Sequence, residues 1–417
     1  MRTDAHYQRA LDLDLADPLR NFRDRFVLPP DIVYLDGNSL GAMPRGVKYR
    51  LNTLVEDEWG QRLVRAWNDR WLGLPTRLGE KIARLIGAEP DEVLVADSTS
   101  INFYKLAAAA AKFQNGREGV VTERDGFPTN RYILESLFAP ESTAWVPTQH
   151  GVTIPTQSIK ECLSPKVALM ALNHVNYRSG WLHDMKDLNE EASRYGVLNL
   201  WDLSHSVGVV PIDVRAAGCD LAVGCTYKYL SGGPGAPGFL YVRHELQKAL
   251  ENPIHGWFGR KNFFEFGAGY EAEEDIRRFL TGTPSILSMA AIEEGLDIVH
   301  EAGVDRIRKK SELMTEFLID IWREKLEPLD VRLNTPAESA RRGSHVSLGH
   351  PHAFAIDQAL IKRMAVVPDF RKPDNIRFGV SPLYNRFVEI YEALERMRLL
   401  LIDQRYRTFE ELTGVVT

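Results

Sequence analysis

The chain has 417 residues, 44% of them hydrophobic, enough for a substantial core and two or three structural units. With 51 basic against 57 acidic side chains the formal net charge is −6, which excludes a general electrostatic pull toward nucleic acid or anionic membranes. No apolar run approaches the roughly 18–20 residues that cross a bilayer. The first ten residues lack the apolar core of a secretion signal. Cys162, Cys219 and Cys225 lack metal-ligand spacing, so no metal site is expected and a reducing, cytoplasmic setting is.

In chain order, the polar opening turns sharply at Tyr34-Leu-Asp-Gly-Asn-Ser-Leu-Gly41. Apolar residues then recur at helical spacing from Val47 to about Trp71, with Trp59, Leu63 and Trp67 one turn apart. A helix over Thr76–Gly87 should stop at its glycine. Next come short apolar runs read as strands: Glu92–Ala96, Gly119–Thr122, Val167–Leu172, Val197–Trp201, Leu221–Cys225 and Gly238–Val242. An alanine-rich helix is expected over Ile101–Phe113. Strands alternating with helices predict an α/β fold, with a large domain whose mostly parallel central sheet is flanked by helices. After about residue 285 two long helices are expected, Ser288–Ala302 and Arg306–Leu326. A mixture follows: Val331–Asn334, His345–Leu348, Asp357–Met364, Ile376–Val380 and Phe387–Ile402. This predicts a smaller α/β C-terminal domain. The expected division is 61–309 for the large unit and 1–60 with 310–417 for the second.

Ligands of open parallel sheets bind beyond the carboxyl ends of the strands, and four strand exits here carry unusual residues. Ala96-Asp-Ser-Thr-Ser-Ile-Asn102 leads into the alanine-rich helix, whose free N–H groups with Thr99 and Ser100 form a candidate phosphate cradle. The same residues also suit an ordinary N-cap. Thr122-Glu-Arg-Asp-Gly-Phe-Pro-Thr-Asn130 offers Phe127 for stacking on a planar ring, or as a loop anchor. Leu198-Asn-Leu-Trp-Asp202 ends an apolar run in a carboxylate, which is costly to bury unless a cation or donors meet it. A pyridinium N–H is such a partner, and His205 is expected to donate to Asp202 or to a ring oxygen. Lys228 follows the Leu221–Cys225 run and precedes the glycine-rich Ser231–Gly238. Burial there lowers the amine's pKa, as a Schiff-base lysine requires. An aspartate and a lysine ending apolar runs 26 residues apart fit neighbouring strands joined by a crossover. Together they point to pyridoxal 5'-phosphate (PLP).

These residues resemble the class V branch of fold-type I (aminotransferase-like) PLP enzymes and, within it, the bacterial-type kynureninases. The resemblance runs through Tyr34–Gly41, Arg65-Ala-Trp-Asn68, Ser98-Thr-Ser-Ile-Asn102, Phe127-Pro-Thr129 and Asn173-His-Val-Asn-Tyr177. It continues in Trp201-Asp-Leu-Ser-His205, Cys225-Thr-Tyr-Lys-Tyr-Leu230, Gly256-Trp-Phe-Gly259, Arg342-Gly-Ser-His-Val-Ser347, Ile376-Arg-Phe-Gly379 and Pro382-Leu-Tyr384. It implies hydrolysis of L-kynurenine to anthranilate and L-alanine in tryptophan catabolism, by a homodimer with shared active sites. It implies Lys228 as the Schiff-base lysine, Asp202 as partner of the pyridine nitrogen and Phe127 as the ring stack. Thr99, Ser100 and Tyr227 would bind the phosphate region, with Pro128, Thr129, Asn130, Asn173 and His205 also on the cofactor. Trp257 and Thr283 would reach it from the neighbouring subunit. Arg377 would clamp the substrate carboxylate. Ser39, Trp67 and Gly282 would lie around the aryl ketone, where small Gly282-Thr283 and Trp67 favour kynurenine over its 3-hydroxy analogue. Tyr227 is the candidate proton shuttle to Cβ.

Two positions depart from the family pattern. Asn130 stands where the motif normally continues with Asp, removing a second carboxylate, and Asn173 where relatives often carry Thr or Ser. Three other readings stay open on sequence. One is a class V aminotransferase. Another is a cysteine desulfurase, with Cys162 as the only loop-like thiol. The last is a silent scaffold that kept the fold.

Overall fold

Short β-branched runs, too short for helices, set the frame of the computed structural model, which describes residues 4–410. The outer ends of the second expected unit, 1–3 and 411–417, lie outside the described residues. Seven strands form the large sheet: β1 (Val93–Val95), β2 (Gly119–Glu123), β3 (Thr143–Val146), β4 (Val167–Asn173), β5 (Leu198–Asp202), β6 (Leu221–Gly224) and β7 (Phe239–Val242). Their order is β1-β7-β6-β5-β4-β2-β3. Parallel ladders join β3 through β6, while β7 runs antiparallel to both neighbours.

The strands read as continuous apolar runs because both faces are covered. Val93, Val95, Val121, Met170, Leu172 and Trp201 enter one apolar cluster. Their chain neighbours Leu94, Val120, Leu169, Ala171 and Leu200 enter another. Each such side chain, fully buried, contributes about 1.5–3 kcal/mol. Helix α1 (Leu74–Ile86) buries Leu74, Leu78, Ile82, Leu85 and Ile86, and Gly87 stops it in the left-handed conformation at φ 70°. Helices α2 (Thr99–Phe113), α3 (Pro128–Leu137) and α4 (Met185–Arg194) follow strands of the sheet, and α5 (Ile286–Ala302) and α6 (Val304–Ile321) come after it.

A second sheet holds β8 (Arg332–Leu333), β9 (His345–Gly349), β10 (Asp369–Arg371) and β11 (Asn375–Gly379), all antiparallel in the order β8-β9-β11-β10. Its apolar cluster takes in residues 314–409 together with Ala10, Val33 and Leu35. Helix α6 gives Ile307 to the first cluster and Met314, Phe317 and Leu318 to this one, so one rod is shared by both cores.

Two expected elements differ. The stretch from Val47 to Trp71 is not one helix: it is helical over Gly46–Thr53, widens to π-type turns over Leu54–Arg62, breaks, and resumes over Trp67–Trp71. The break is at Leu63, which sits at φ 54°. Trp59 and Leu63 are more than half exposed, so their spacing marks no buried stripe. The helix expected over Arg306–Leu326 becomes a wider turn after Ile321. Strand β3, at the sheet edge, and helices α3 and α4 were not expected from the pattern, because their segments are short and those of the helices largely polar, although α4 buries Met185, Leu188, Asn189 and Ala192 at helical spacing.

Candidate active site

The carboxyl ends of β1, β2, β4, β5 and β6 converge on a cleft of about 340 Å³. From the strand exits it collects Asp97, Thr99 and Ser100, then Phe127 and Asn130, then Asn173, Asp202, His205, Tyr227 and Lys228. Asp202 and Lys228 come together because β5 and β6 are parallel neighbours, Asp202 lying opposite Val223 in the ladder. The chain leaves β6 into a tight bend in which Gly41 N–H donates to the Tyr227 carbonyl at 2.8 Å. A Cβ at Gly41 would sit 2.2 Å from the Lys228 carbonyl oxygen, so only glycine permits this approach.

The Lys228 side chain is enclosed, and burial pushes its amine below the ordinary lysine range despite the Cys225 and Asp202 groups pulling it back. Its Nζ lies 2.8 Å from His205 Nε2 and 5.9 Å from the Phe127 ring centroid. Burial, and then Lys228 itself, drive His205 well below its usual pKa, so a neutral ring shares this hydrogen bond with the amine. Of the two partners expected for His205, Asp202 is not bonded to it; its Nε2 meets Lys228 instead. Tyr227 lines the cleft, but the Cys225 thiol and burial push its phenol upward. Its own surroundings therefore do not tune it toward neutrality.

Asp202 is almost fully buried and answered by three donors. Ser204 N–H donates to Oδ1 at 2.9 Å, while the Asn130 and Asn173 amides donate to Oδ2 at 2.8 and 3.3 Å. Neutral amides at both positions leave Asp202 the single carboxylate of this hydrogen-bonded group. Pro128 and Thr129 do not line the cleft; they open α3 and bring Asn130 to Asp202.

At the other end of the cleft, Ser98 caps α2 by accepting from Ile101 N–H at 3.3 Å, which leaves the Thr99 and Ser100 hydroxyls to the cleft. Gly238 leaves this turn open: a Cβ there would lie 2.9 Å from Thr99 N and 3.0 Å from Thr99 Oγ1. Two buried polar atoms in the wall, Thr99 Oγ1 and His205 Nδ1, have no hydrogen-bond partner among the described residues. An unpartnered hydroxyl at a helix N-terminus, a phenylalanine ring beside an enclosed amine and a buried carboxylate met by three donors together fit PLP.

Arg377 is 1% exposed and does not line the cleft. Its guanidinium forks onto Asp369, with Nε to Oδ1 at 2.8 Å and Nη2 to Oδ2, and also donates to the Tyr177 carbonyl and, at 2.9 Å, to Ser39 Oγ. Ser39 donates on to Asp369 at 2.7 Å, so it sits at the guanidinium. Arg371, a third exposed, reaches the same carboxylate at 2.6 Å. Burial pushes Asp369 up, but the Arg377 charge overrides it and holds the carboxyl down at about 2. Its neighbour Asp36 goes the other way, raised to about 8 by burial and then by Asp369. Sequence reading missed Asp369, Arg371 and Asp36.

The remaining expected residues lie outside the cleft. Gly282 and Thr283 are exposed. Trp257 is 37% exposed and packs edge-on against Phe258, with Phe263, Phe264 and Phe266 close by. Trp67 lines a separate apolar groove with Leu54, Trp59 and Trp71; that groove and the cleft share Ser285 in their walls. Cys219 and Cys225 are buried. Cys162 closes the helix Thr156–Glu161, and burial followed by the Glu161 charge raises its thiol, the opposite of what a persulfide-forming nucleophile needs.

Comparison with known proteins gives a consistent result. The Kynureninase C-terminal domain family matches residues 307–397. A kynureninase of Burkholderia mallei is 41% identical over 411 residues, 97% of this chain and 98% of the relative. One of Pseudomonas fluorescens is 41% identical over 394 residues, 92% of this chain and 93% of the relative. Among solved structures, a cysteine desulfurase of Thermococcus onnurineus superposes with a TM-score of 0.80 at 19% identity, over 92% of this chain and 98% of that one. A cysteine desulfurase of Escherichia coli gives 0.79 at 16% identity, over 94% and 99%. These two likenesses establish the fold, that of the fold-type I class V enzymes.

Proposed function

The chain belongs to the kynureninase family, and from that membership we infer a PLP-dependent hydrolase that cleaves L-kynurenine to anthranilate and L-alanine. The observation that carries the reading is the enclosed Lys228 amine facing neutral His205 in the same cleft as a buried Asp202 carboxylate met by three donors. PLP, when bound, supplies the electron sink for carbanion chemistry at the amino-acid carbons.

In our reading Lys228 attaches the cofactor and moves protons at Cα, a role that the burial-lowered amine suits. His205 hydrogen-bonds that amine and keeps it oriented. Asp202 holds the proton on the pyridine nitrogen, and the Asn130 and Asn173 amides fix the carboxylate that does so. Phe127 covers the ring, and Thr99 and Ser100 take the phosphate with the N-terminus of α2. Arg377 takes the substrate carboxylate, its plane set by Asp369 and Ser39. Tyr227 remains our candidate donor to Cβ; its raised pKa suits delivery of a proton better than removal of one.

We propose that the enzyme acts as a homodimer in the cytoplasm, in tryptophan catabolism. Among the described residues no helix is long and apolar enough to cross a membrane. Exposed Trp257 and Thr283 are well disposed to serve a neighbouring subunit's site, and an apolar groove bordered by exposed Val27, Leu40, Met43 and Leu287 is of the kind a second copy covers. Kynurenine is proposed over its 3-hydroxy analogue because Trp67 and the small Gly282-Thr283 pair stand where family members that select the hydroxyl carry other polar residues. Comparing kcat/KM for the two substrates tests this; a clear preference for the hydroxylated one overturns it. The primary assay is fluorescence of anthranilate released from L-kynurenine. Formation of a transaminated product instead would replace hydrolysis by the aminotransferase reading.

A further inference from the structure

The phosphate end of the cleft carries an acidic group where an anion is to bind. Asp97, in the turn between β1 and α2, lines the cleft beside Thr99 and Ser100. The cleft's only lysine or arginine among the lining residues is Lys228, which the function reading commits to the far end of the cofactor. A helix N-terminus offers about half a positive charge. One free carboxylate in the same turn would more than cancel it.

The compensating charge lies behind the wall. Lys105, two turns along α2, has a fully enclosed side chain whose Nζ pairs with Asp97 Oδ2 and donates to the Phe279 carbonyl at 2.7 Å. Thr281 Oγ1 adds a long hydrogen bond to the same carboxylate, at 3.3–3.4 Å. Asp97 itself sits at φ 43°, a left-handed conformation that non-glycine residues rarely adopt. Its backbone is held there by Gly238 N–H donating to the Asp97 carbonyl at 2.8 Å, and by Ala96 N–H donating to the Gly238 carbonyl at 3.0 Å. The Asn102 amide donates to the Ala96 carbonyl at 2.7 Å. The turn is thus built to keep Asp97 beside the cradle, and a buried lysine is unusual unless its charge is needed there. Burial pushes the Lys105 amine down and Asp97 draws it back up, as expected for a buried pair.

We propose that Lys105 is a positioning residue for phosphate recognition: by pairing with Asp97 it turns that carboxylate away from the phosphate and leaves the α2 N-terminus free to hold it. The proposal rests on the PLP reading above. It assigns Lys105 no contact with cofactor or substrate, and it binds the cradle to the Phe279–Thr281 segment that precedes Gly282 and Thr283.

The test compares binding of PLP with that of pyridoxal, the same ring without the phosphate, to cofactor-free protein by equilibrium dialysis. In Lys105→Met the preference for PLP over pyridoxal should fall about tenfold, the effect of roughly one uncompensated charge near the site. Pyridoxal affinity should hold. Lys105→Gln, which keeps a donor for the Phe279 carbonyl, should show the same loss. The double variant Lys105→Met with Asp97→Asn buries no lone charge and should recover the preference to within about threefold of the unaltered protein. An unchanged preference in the single variants, or a double variant no better than Lys105→Met, overturns the proposal, since a space-filling role moves both ligands together. Failure of the unaltered protein to bind PLP would overturn the function reading and this inference with it.

Discussion

At Lys228 an amine and an imidazole face each other, both pushed by burial toward their neutral forms, and two polar atoms of the same cleft wall have no partner among the described residues. At Arg377 the opposite holds: a charged guanidinium has Nε, Nη1 and Nη2 each engaged by Asp369, Ser39 or a backbone carbonyl before any ligand arrives. The first region is left unsatisfied in a way that a cofactor completes. The second is preorganised, and in the proposed reading it offers a substrate carboxylate a rigid plane instead of a mobile side chain. On that reading reactivity and orientation are separated: the large sheet carries the one and the small sheet the other.

The comparison can be broken first at the reactive end. Lys228→Ala should lower kynurenine turnover by about 10³-fold or more and remove the absorbance of covalently held cofactor. At the preorganised end the signature is different. Asp369→Ala leaves a buried guanidinium without its counter-charge and should cost about 3–5 kcal/mol of stability, read as a fall in the denaturant midpoint. Arg377→Lys keeps the charge but loses the fork, so KM for kynurenine should rise about tenfold with kcat changed less.

Smaller effects sharpen the contrast. Asn130→Ala removes one donor from Asp202 and should weaken PLP binding by about 1 kcal/mol, roughly fivefold, in a dialysis titration. The pH behaviour of the two ends should also diverge. Capture of PLP needs the neutral Lys228 amine, so its rate should climb with pH and level off below the 10.5 of an ordinary lysine. Near Arg377, Asp36 and Asp357 are both raised to about 8, chiefly by burial. They keep protons that the unfolded chain has already released, so their contribution to stability fades as pH rises from about 4 through 8. Asp36→Asn should flatten that decline and raise the melting temperature by a few degrees at pH 9; an unchanged slope would contradict the assignment.

The reactive end is legible in the sequence for a physical reason. Asp202 and Lys228 each end an apolar run, where a charge is costly and so conspicuous, and the spacing between them suits one crossover. The large sheet is legible for the same reason, since β4, β5 and β6 are apolar on both faces. The preorganised end is not. Asp369 and Arg371 lie on a three-residue strand rich in charge, and their partner Ser39 is more than 300 residues away, a pairing no local pattern encodes. Lys105 is hidden in another way: in an alanine-rich helix a lysine reads as a solvated charge, and only the position of Asp97 shows otherwise. Trp59 and Leu63 mark the reverse error, a helical spacing of apolar residues that the fold leaves exposed.

The central claim is that the Lys228–Asp202 cleft, loaded with PLP, hydrolyses kynurenine. Its most direct test is a fluorescence time course of anthranilate release from L-kynurenine by the purified, PLP-loaded protein beside its Lys228→Ala variant. The account predicts steady release matched by equimolar L-alanine from the first and none above background from the second. Equal release by both, or none from the PLP-loaded protein, would contradict it.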